Sequence, residues 1–430
     1  MISERLTALM NHLTNNTVLG ELLAPVSGVL LGIRNSDGNA QVLSMLDFIA
    51  LGVLRHLRGM GTLREQVQSL LHLNPAEGMG APLARSTWSD ALTSRRRRGV
   101  LEAITGPLLE EARAVLPDRL AGFSALDGRP VYATDGTYQK ESAHYGRCTP
   151  RQGGEDNPKG HALLSFYDVR LGCPADVYVD TRNRHETALL RDYDANEKAM
   201  TRHKKALWLV DRAFIDARFW DQKKKRLSVT MITRMKKSLR IDFTEDLLVA
   251  DTQVNEGVVK DLRITLGSSR EFWRLITFRT RRGRLVEFLT NEFDLEPGII
   301  AFLYARRWDE EKCFDTWKND FSQTKAWGAS VVAIDSQIRL AIITSILVAM
   351  LLYRKMGQYG IEDEKALRKQ DRRQTSEHDG TDRPDWSTPV FRYTSKVSRQ
   401  VLRFFKHCFL KPASQTLYET ELRPMLLVYL

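Results

Sequence analysis

Apolar residues recur at helical spacing through the first quarter of the chain. Leucine and valine return every three or four residues in segments 64–73 and 100–116, whereas strand-like alternation is scarce. We therefore predict a helical region from residue 1 to about residue 125. Near its end, Thr87 and Asp90 have the spacing of a capping box with Asp in place of Glu, which predicts the start of a helix.

From Asp127 onward the pattern changes to short apolar runs that are typical of strands. The predicted order is three antiparallel strands at 131–135, 162–169 and 176–180, a helix at about 185–200, a strand ending at 211, another helix, and a strand at 228–233. Alternation of strands and helices in this order predicts an α/β fold.

A second group of strands is predicted within an insertion at about 235–292. Segments 261–266, 271–278 and 285–290 alternate between apolar and polar residues, as strands do. The last two are joined by a hairpin tip that carries Arg279, Arg281, Arg282 and Arg284. Such a tip either contacts a polyanion, which we favour, or protects a sheet edge from pairing.

The last third of the chain contains one long apolar run at 340–353. It has about 14 residues, fewer than the roughly 20 that a transmembrane helix needs, so we predict a buried helix packed on the sheet and no membrane association. Segment 361–390 is polar, which predicts a linker. Apolar residues at helical spacing in 397–410 and 414–430 either complete the core or mediate dimerisation.

The composition indicates a polyanionic partner in a reducing compartment. Lysine and arginine number 64 against 53 acidic residues, an excess that also serves solubility. The four cysteines form no CxxC pair, so neither a zinc site nor a disulfide framework is predicted, and no signal peptide is evident at the N-terminus. Segment 153–160 lacks the spacing of a phosphate-binding loop, so no nucleotide cofactor is expected.

Four functional side chains share one face of a helix predicted at 304–318. At about 100° per residue, Tyr304, Arg307, Glu311 and Lys318 fall within an arc of about 60°. One interpretation is a metal ion at Glu311 with phosphate oxygens at the other three side chains. The alternative is a solvated amphipathic helix with intrahelical ion pairs.

Two aspartates follow predicted strands upstream. Asp135 ends the run Val131–Asp135, and Asp211 ends the run 206–211. Aspartates in this position are commonly turn or cap residues. They are equally suited to place carboxylates at one edge of a sheet.

The spacing Tyr304, Arg307, Glu311 and Lys318 resembles the signature of DDE transposases of the "insertion sequence four" type, and all four positions match. Asp135-Gly-Thr and Asp211-Arg-Ala-Phe resemble the family's two upstream boxes, with Ala213 where the family often has glycine. Segments 183–186 and 288–291 add to the likeness, which extends over about residues 85–355.

This resemblance implies a ribonuclease H-like catalytic core in which Asp135, Asp211 and Glu311 bind two Mg²⁺ ions, with Mn²⁺ as a substitute. It further implies cleavage of double-stranded DNA at the ends of an insertion sequence and joining of the 3′ ends to target DNA, by a homodimer in the bacterial cytoplasm, at the nucleoid when bound. Arg307, Lys318 and Tyr304 would then position phosphates.

The family also suggests contacts for other residues. Its N-terminal domain recognises the element's ends, which favours DNA contact over a solvated face for the run Arg95, Arg96, Arg97 and Arg98. Its insertion carries an aromatic residue that receives a flipped base; Trp273 is a candidate by location, with core packing as the alternative.

The predicted domains are thus a DNA-binding region at 1–125, a catalytic domain at 126–360 with its insertion, and a C-terminal region at 361–430. Two other functions remain open from the sequence. One is a DNA-binding regulator without catalysis, and the other is a metal-dependent nuclease that does not join DNA.

Overall fold

A computed structural model describes residues 18–33, 37, 43–58, 83–140, 149–150, 159–180, 184–280, 283–319, 321 and 326–358. The chain forms two compact units. The helical unit comprises 1–117, 140–147 and 315–430, and the sheet unit comprises 118–139 and 148–314. The predicted linker and C-terminal region at 361–430 lie outside the described residues.

Helices dominate the two ends of the described chain, and strands dominate its middle. The helices are α1 (Val18–Leu31), α2 (Met45–Arg58), α3 (Arg85–Thr93), α4 (Arg95–Val115), α5 (Glu186–Asp194), α6 (Ala217–Leu227), α7 (Pro297–Arg306), α8 (Trp308–Asn319) and α9 (Val331–Gln358). The strands are β1 (Val131–Lys140), β2 (Thr149–Pro150), β3 (Lys159–Asp168), β4 (Cys173–Asp180), β5 (Leu207–Val210), β6 (Thr230–Arg234), β7 (Ile241–Asp246), β8 (Val258–Leu266), β9 (Phe272–Arg279) and β10 (Leu285–Thr290).

Helix α9 is the central helix of the helical unit. It packs on α1, α2, α3 and α4, so its predicted place on the sheet is wrong. The helix also extends well beyond the predicted 14 residues, and 331–355 is long and apolar enough to cross a bilayer by length and composition. However, 83% of its most apolar window is buried inside the protein, and four packed neighbours account for an apolar surface on most of its circumference.

The break between α3 and α4 is set by Ser94. Its hydroxyl accepts a hydrogen bond from the backbone N–H of Arg97, which makes Ser94 the N-cap of α4. The capping box predicted at Thr87 and Asp90 is wrong, because α3 begins at Arg85 and its N-cap residue makes no side-chain cap bond. The arginine run therefore forms the first turn of α4.

A buried histidine makes the stability of the helical unit depend on pH. Burial lowers the pKa of His56 to about 3, from an ordinary value of 6.5. The unfolded chain therefore binds the proton more readily, and stability is lost as the pH falls from about 6.5 towards 3. Between pH 6.5 and 5 we expect His56 to cost about 2 kcal/mol of unfolding free energy, measured by urea unfolding. His56→Gln should flatten this dependence; an unchanged slope would contradict it.

The sheet unit is built on one ten-stranded mixed sheet. Nine strands follow the order β2-β3-β1-β5-β6-β10-β9-β8-β7, and β4 pairs with β3 off this path. β5 pairs in parallel with both β1 and β6, whereas β3 and β4 are antiparallel. The predicted succession of strands and helices from 131 to 233 and the α/β class are both confirmed.

The β-rich segment continues the same sheet. The three strands predicted at 261–290 are confirmed as β8, β9 and β10, and the last two form the predicted antiparallel hairpin. β7 was not predicted from the sequence. Five of its six residues are exposed, so this edge strand lacks the buried apolar face that produces a recognisable alternation.

Helix α7 packs against the sheet and completes its core. Pro297 occupies its first turn, where the missing N–H costs no hydrogen bond. The apolar run that follows is buried on nearly all sides and contacts β5, β6 and β9. Its core neighbours include Val131, Ala133, Leu207, Leu209, Ile232 and Ile276. α7 thereby fixes the start of the segment in which the sequence places its functional side chains.

Gly298 permits close contact between α7 and the 3₁₀ turn at 253–255. A Cβ atom at position 298 would lie 1.8 Å from the backbone oxygen of Val254, and backbone yields less readily than a side chain. We expect Gly298→Ala to lower the unfolding free energy by about 1–3 kcal/mol. Gly122→Ala is the control, since nothing lies within 4 Å of its Cβ. Equal urea midpoints for the two variants would contradict this packing.

Candidate active site

Asp135 and Asp211 lie next to each other where the pairing of the interior strands β1 and β5 ends. The parallel pairing of β1 with β5 ends at Thr134 and Val210. Asp135 is the next residue of β1, and Asp211 is the first residue after β5. Asp211 makes no side-chain cap bond, although it precedes a 3₁₀ turn, so the alternative of a capping residue does not hold for it. Asp135 accepts a bond of 2.8 Å from the N–H of Gly136. β1 continues to Lys140, beyond the predicted strand end.

The predicted helix at 304–318 is two helices with a junction at Arg307. α7 ends at Arg306 and α8 begins at Trp308. At the junction the N–H of Arg307 bonds the carbonyl of Tyr304, and the N–H of Glu310 bonds the carbonyl of Arg307. Both bonds span three residues, so the chain tightens locally to 3₁₀ geometry. The expectation of one continuous helix was wrong, yet Arg307 and Glu311 remain one turn apart.

Arg307 links two of the predicted catalytic carboxylates. One guanidinium nitrogen, Nη1, lies 2.9 Å from Asp135 Oδ2, and the other, Nη2, lies 2.6 Å from Glu311 Oε1. The side chain of Arg307 is only 8% exposed, against 19% for Asp135 and 30% for Glu311. The structure therefore brings Asp135 and Glu311 to the same guanidinium, and gives Arg307 carboxylate partners, the alternative to phosphate.

Negative charge accumulates around Asp135. Burial raises the pKa of Asp135; Arg307 opposes that rise, while Glu311 and Asp211 add to it. Burial by itself would lower the pKa of Arg307, but Tyr304, Asp135 and Glu311 raise it above its ordinary value. Arg307 is thus held as a cation among acids.

Two further acids at the site were not predicted as functional. Burial, followed by the charges of Asp135 and Asp211, raises the pKa of Glu186 to about 7. Glu310 is fully buried, and its pKa is raised well above the ordinary value by burial and by Asp135. Glu186 belongs to the segment 183–186, which resembles the family but carries no predicted role. The sequence does not single out Glu310, because the family's spacing selects its neighbour Glu311.

The backbone of β1 approaches Glu186 closely at Gly136. A Cβ atom at position 136 would lie 2.3 Å from Glu186 Oε1. Glu186 starts α5, whose N-cap residue is His185. Glycine after Asp135 therefore leaves room for a third carboxylate beside Asp135 and Asp211.

Tyr304 lies between Phe288 of the core and Arg307 of the site. Its side chain is buried, its ring centroid is 5.2 Å from that of Phe288, and burial raises the pKa of its hydroxyl. The guanidinium of Arg307 is 5.8 Å from the centre of the Tyr304 ring. The residue thus joins the sheet's core to the charged cluster.

Lys318 is exposed in the last turn of α8. It belongs to the helical unit, whereas Asp135, Asp211 and Glu311 belong to the sheet unit. Its predicted contact with phosphate stays a prediction.

The arginine run at the start of α4 divides into two kinds of residue. Arg95 and Arg96 are exposed. Arg97 is buried, bonds the carbonyls of Leu43 and Ser44, and lies over the ring of Phe48. Arg98 pairs with Glu102 and Asp335 at 2.5 and 2.7 Å. Arg97 serves the fold, so the hypothesis of DNA contact is best retained for Arg95 and Arg96.

In the hairpin of β9 and β10, Arg279 and Arg284 are exposed at the tip, as predicted for a charged turn. Arg281 and Arg282 lie outside the described residues.

Trp273 is fully buried, and its Nε1–H lies 3.2 Å from both Asp221 Oδ1 and Ser269 Oγ. A ring enclosed in this way has no free face for a base, so the structure supports the packing alternative for Trp273.

The donor chemistry of the site suits a hard divalent cation. Carboxylate oxygens are the ligands that Mg²⁺ and Mn²⁺ take in proteins, and Asp211, Glu186 and Glu311 are all close enough to Asp135 for their charges to interact with it. Across the described ranges, no three acidic, histidine or cysteine side chains already have the spacing of a metal site. Two of the carboxylates, Asp135 and Glu311, are instead oriented towards the guanidinium of Arg307, which donates hydrogen bonds to both.

Comparison with known proteins identifies the family. The family model for the transposase DDE domain matches residues 120–345, more than half of the chain. The chain therefore belongs to the DDE transposase domain family. The matched range contains Asp135, Asp211 and Glu311, together with Tyr304, Arg307 and Lys318.

The proteins similar to the chain include a curated relative and a solved structure. A probable transposase for insertion sequence element IS5377 of Geobacillus stearothermophilus is 25% identical over 196 residues, which are 45% of this chain and 49% of that protein. The match thus spans about half the length of this curated relative. A solved structure of a piggyBac transposase synaptic complex with hairpin DNA covers 81% of this chain and 76% of its own, at 9% identity and a TM-score of 0.42.

Proposed function

We propose that the protein is a cut-and-paste DNA transposase that cleaves the ends of an insertion sequence and joins the 3′ ends to target DNA. The observation that carries this proposal is the clustering of Asp211 and Glu311 with Asp135, beside Arg307. Asp135 and Asp211 follow the last paired residues of two parallel strands, and both Asp135 and Glu311 accept bonds from Arg307. Membership of the DDE transposase domain family supports the same function.

A ribonuclease H-like core is the finer fold that we propose for this part of the sheet. The strand order β4-β3-β1-β5-β6 places the first strand at the centre and the two aspartates on adjacent strands. Helices α5 and α6 connect β4 to β5 and β5 to β6. The spacing of Tyr304, Arg307, Glu311 and Lys318 favours the "insertion sequence four" branch of the family.

We propose that Asp135, Asp211 and Glu311 hold two Mg²⁺ ions, or Mn²⁺ in their place. When bound, such ions lower the pKa of an attacking water and stabilise the leaving 3′ oxygen. Arg307 substitutes for part of that positive charge in their absence, because it lies between Asp135 and Glu311. On metal binding it would release these carboxylates and turn its guanidinium to phosphate oxygens, the other ligand that its fork geometry suits.

The proposed partners are the two DNA duplexes of the reaction. Arg95 and Arg96 at the start of α4, and Arg279 and Arg284 at the hairpin tip, are exposed at the surface, as contact with phosphates requires. Lys318 and the Tyr304 hydroxyl are assigned to phosphates near the scissile bond. A homodimer that bridges two ends is part of the proposal.

One incubation separates this function from its two rivals. Purified protein is mixed with labelled duplex that carries the terminal sequences flanking the gene, a target plasmid and Mg²⁺. We expect cleaved ends and, later, end DNA covalently joined to the plasmid. A mobility shift without cleavage would instead identify a DNA-binding regulator. Cleavage without joined product would identify a nuclease.

A further inference from the structure

A basic cleft lies directly beside the proposed catalytic centre, within the sheet unit. Its volume is about 480 Å³, within the usual range of about 300–1,000 Å³ for ligand pockets. Its wall includes the turn at 212–214 that follows Asp211, the first residues of α5 and α6, and parts of the loops after β6 and β8. Arg212, the residue after Asp211, belongs to this wall.

Three cations of the cleft have no acidic partner in the described part of the chain. They are Arg212, Arg218 and Lys236, and all three are exposed. The two acids of the wall are already paired, Asp192 with Arg184 and Asp216 with Arg191. With Arg191, the wall has four cations and two acids, so the cleft carries a net charge of about +2.

Two helix N-termini open on the same cleft; α6 is capped by the carboxylate of Asp216 and α5 by the side chain of His185. His185, Thr187 and Ala188, at the start of α5, and Asp216 and Ala217, at the start of α6, line the same cleft. The N-terminal ends of helices carry partial positive charge and are common sites for phosphate groups. Both helices begin at one cavity, and unpaired guanidinium and ammonium groups share it.

We propose that this cleft binds the phosphodiester backbone of a DNA strand as it passes Asp211. The inference rests on the proposed function, because only that function brings DNA to Asp211. Guanidinium groups bind phosphates through two parallel hydrogen bonds, and lysine adds a point charge. Since Arg212 adjoins Asp211 in sequence, phosphates held in the cleft fix the position of the strand relative to the bond that is cut.

The test compares two triple variants that remove the same charge. The cleft variant carries Arg212→Ala, Arg218→Ala and Lys236→Ala. The control carries Lys225→Ala, Arg240→Ala and Lys260→Ala; these cations of the sheet unit are more than half exposed, and each pairs with an acid. Binding of labelled duplex and single-stranded oligonucleotides of arbitrary sequence is followed by fluorescence anisotropy, without divalent metal, between about 50 and 200 mM salt.

We expect the cleft variant to reduce the slope of log K against log salt by about 2–3 for duplex, or by about 2 for a single strand. The control should change the slope by less than about 1, because its cations are already neutralised by acids. The oligonucleotide with the larger loss identifies the form of DNA in the cleft. Equal slopes for the two triple variants on both oligonucleotides would overturn the proposal.

The experiment separates this inference from the proposed function. DNA binding is measured without metal and does not depend on cleavage. If the wild-type protein never cleaves DNA in the separate incubation with Mg²⁺, the proposed function is refuted and the cleft result still stands. Conversely, cleaving wild-type protein with equal slopes in both variants refutes the cleft alone. Urea unfolding checks the fold of each variant. If the triple cleft variant is unfolded, Arg218→Ala alone should still reduce the duplex slope by about 0.9, and an unchanged slope would overturn the proposal.

Discussion

Replacement of Asp135 with asparagine is expected to lower Mg²⁺-dependent cleavage of end DNA by about 1,000-fold or more. The substitution keeps the size of the side chain and removes the charge that faces Arg307, Asp211 and Glu311. Loss of about 4 kcal/mol of stabilisation by a bound metal corresponds to a rate decrease of this size. Cleavage rates under single-turnover conditions are the measurement, with DNA binding followed in parallel.

Asp246→Asn is the matched control for Asp135→Asn. Asp246 has a 79% exposed side chain on β7 and pairs only loosely with Lys260, at 3.8 Å. We expect this variant to cleave at the wild-type rate and both variants to bind end DNA as the wild type does. Wild-type cleavage by Asp135→Asn would remove Asp135 from the catalytic centre.

The second large effect is expected at Arg307. Arg307→Ala leaves Asp135 and Glu311 near each other without the guanidinium that neutralises both. Removal of one partner from a largely buried ion pair costs about 3–5 kcal/mol. Because Asp135 and Glu311 are 19% and 30% exposed, solvent screening reduces that figure, and we expect a loss of about 2 kcal/mol of unfolding free energy in metal-free buffer.

Divalent cations should reverse this loss. In Arg307→Ala the carboxylates no longer have an internal cation, so Mg²⁺ or Mn²⁺ should raise the melting temperature more than it does in the wild type. Arg263→Ala is the control, since Arg263 on β8 pairs with Glu245 on the edge strand β7, and the two side chains are 40% and 49% exposed. Equal metal-induced shifts in Arg307→Ala and the wild type would contradict the assignment of Arg307 as a stand-in for metal.

The sequence predicts the order of strands and helices well where burial produces a run or an alternation of apolar residues. β5 is buried at all four positions, and the hairpin of β9 and β10 pairs buried apolar residues, so both leave clear apolar runs. β7 is exposed at nearly every position and leaves none. The apolarity of α9 was recognised, but the sequence does not reveal whether helices or a sheet cover it.

At the candidate site, the sequence singles out Asp135, Asp211 and Glu311 but neither Glu186 nor Glu310, and it predicts the contacts between these residues less completely. Asp135, Asp211 and Glu311 carry sequence signals because each has a fixed spacing or a strand before it. Arg307 was expected at phosphate, with intrahelical acids as the alternative, and its bond to Asp135 joins residues 172 positions apart. Such a contact depends on how α7 packs on the sheet, which local sequence does not specify.

Arginine and tryptophan positions were the least predictable. Arg97 stands in a run of four arginines, yet it alone of the four is buried, against Phe48 and backbone carbonyls. Trp273 adjoins Phe272 on β9, and strand alternation buries the first and exposes the second. A one-residue difference in register thus separates a core residue from a surface residue.

A metal-specificity switch at Asp211 tests the central claim most directly. Asp211→Cys and Asp211→Ser are compared for cleavage of end DNA in Mg²⁺ and in Mn²⁺, which accepts a sulfur ligand more readily than Mg²⁺ does. If Asp211 binds the catalytic metal, both variants are inactive in Mg²⁺, and Mn²⁺ restores cleavage to the cysteine variant alone. Wild-type cleavage of either variant in Mg²⁺, or equal responses of the two to Mn²⁺, would contradict a catalytic centre built on Asp135, Asp211 and Glu311.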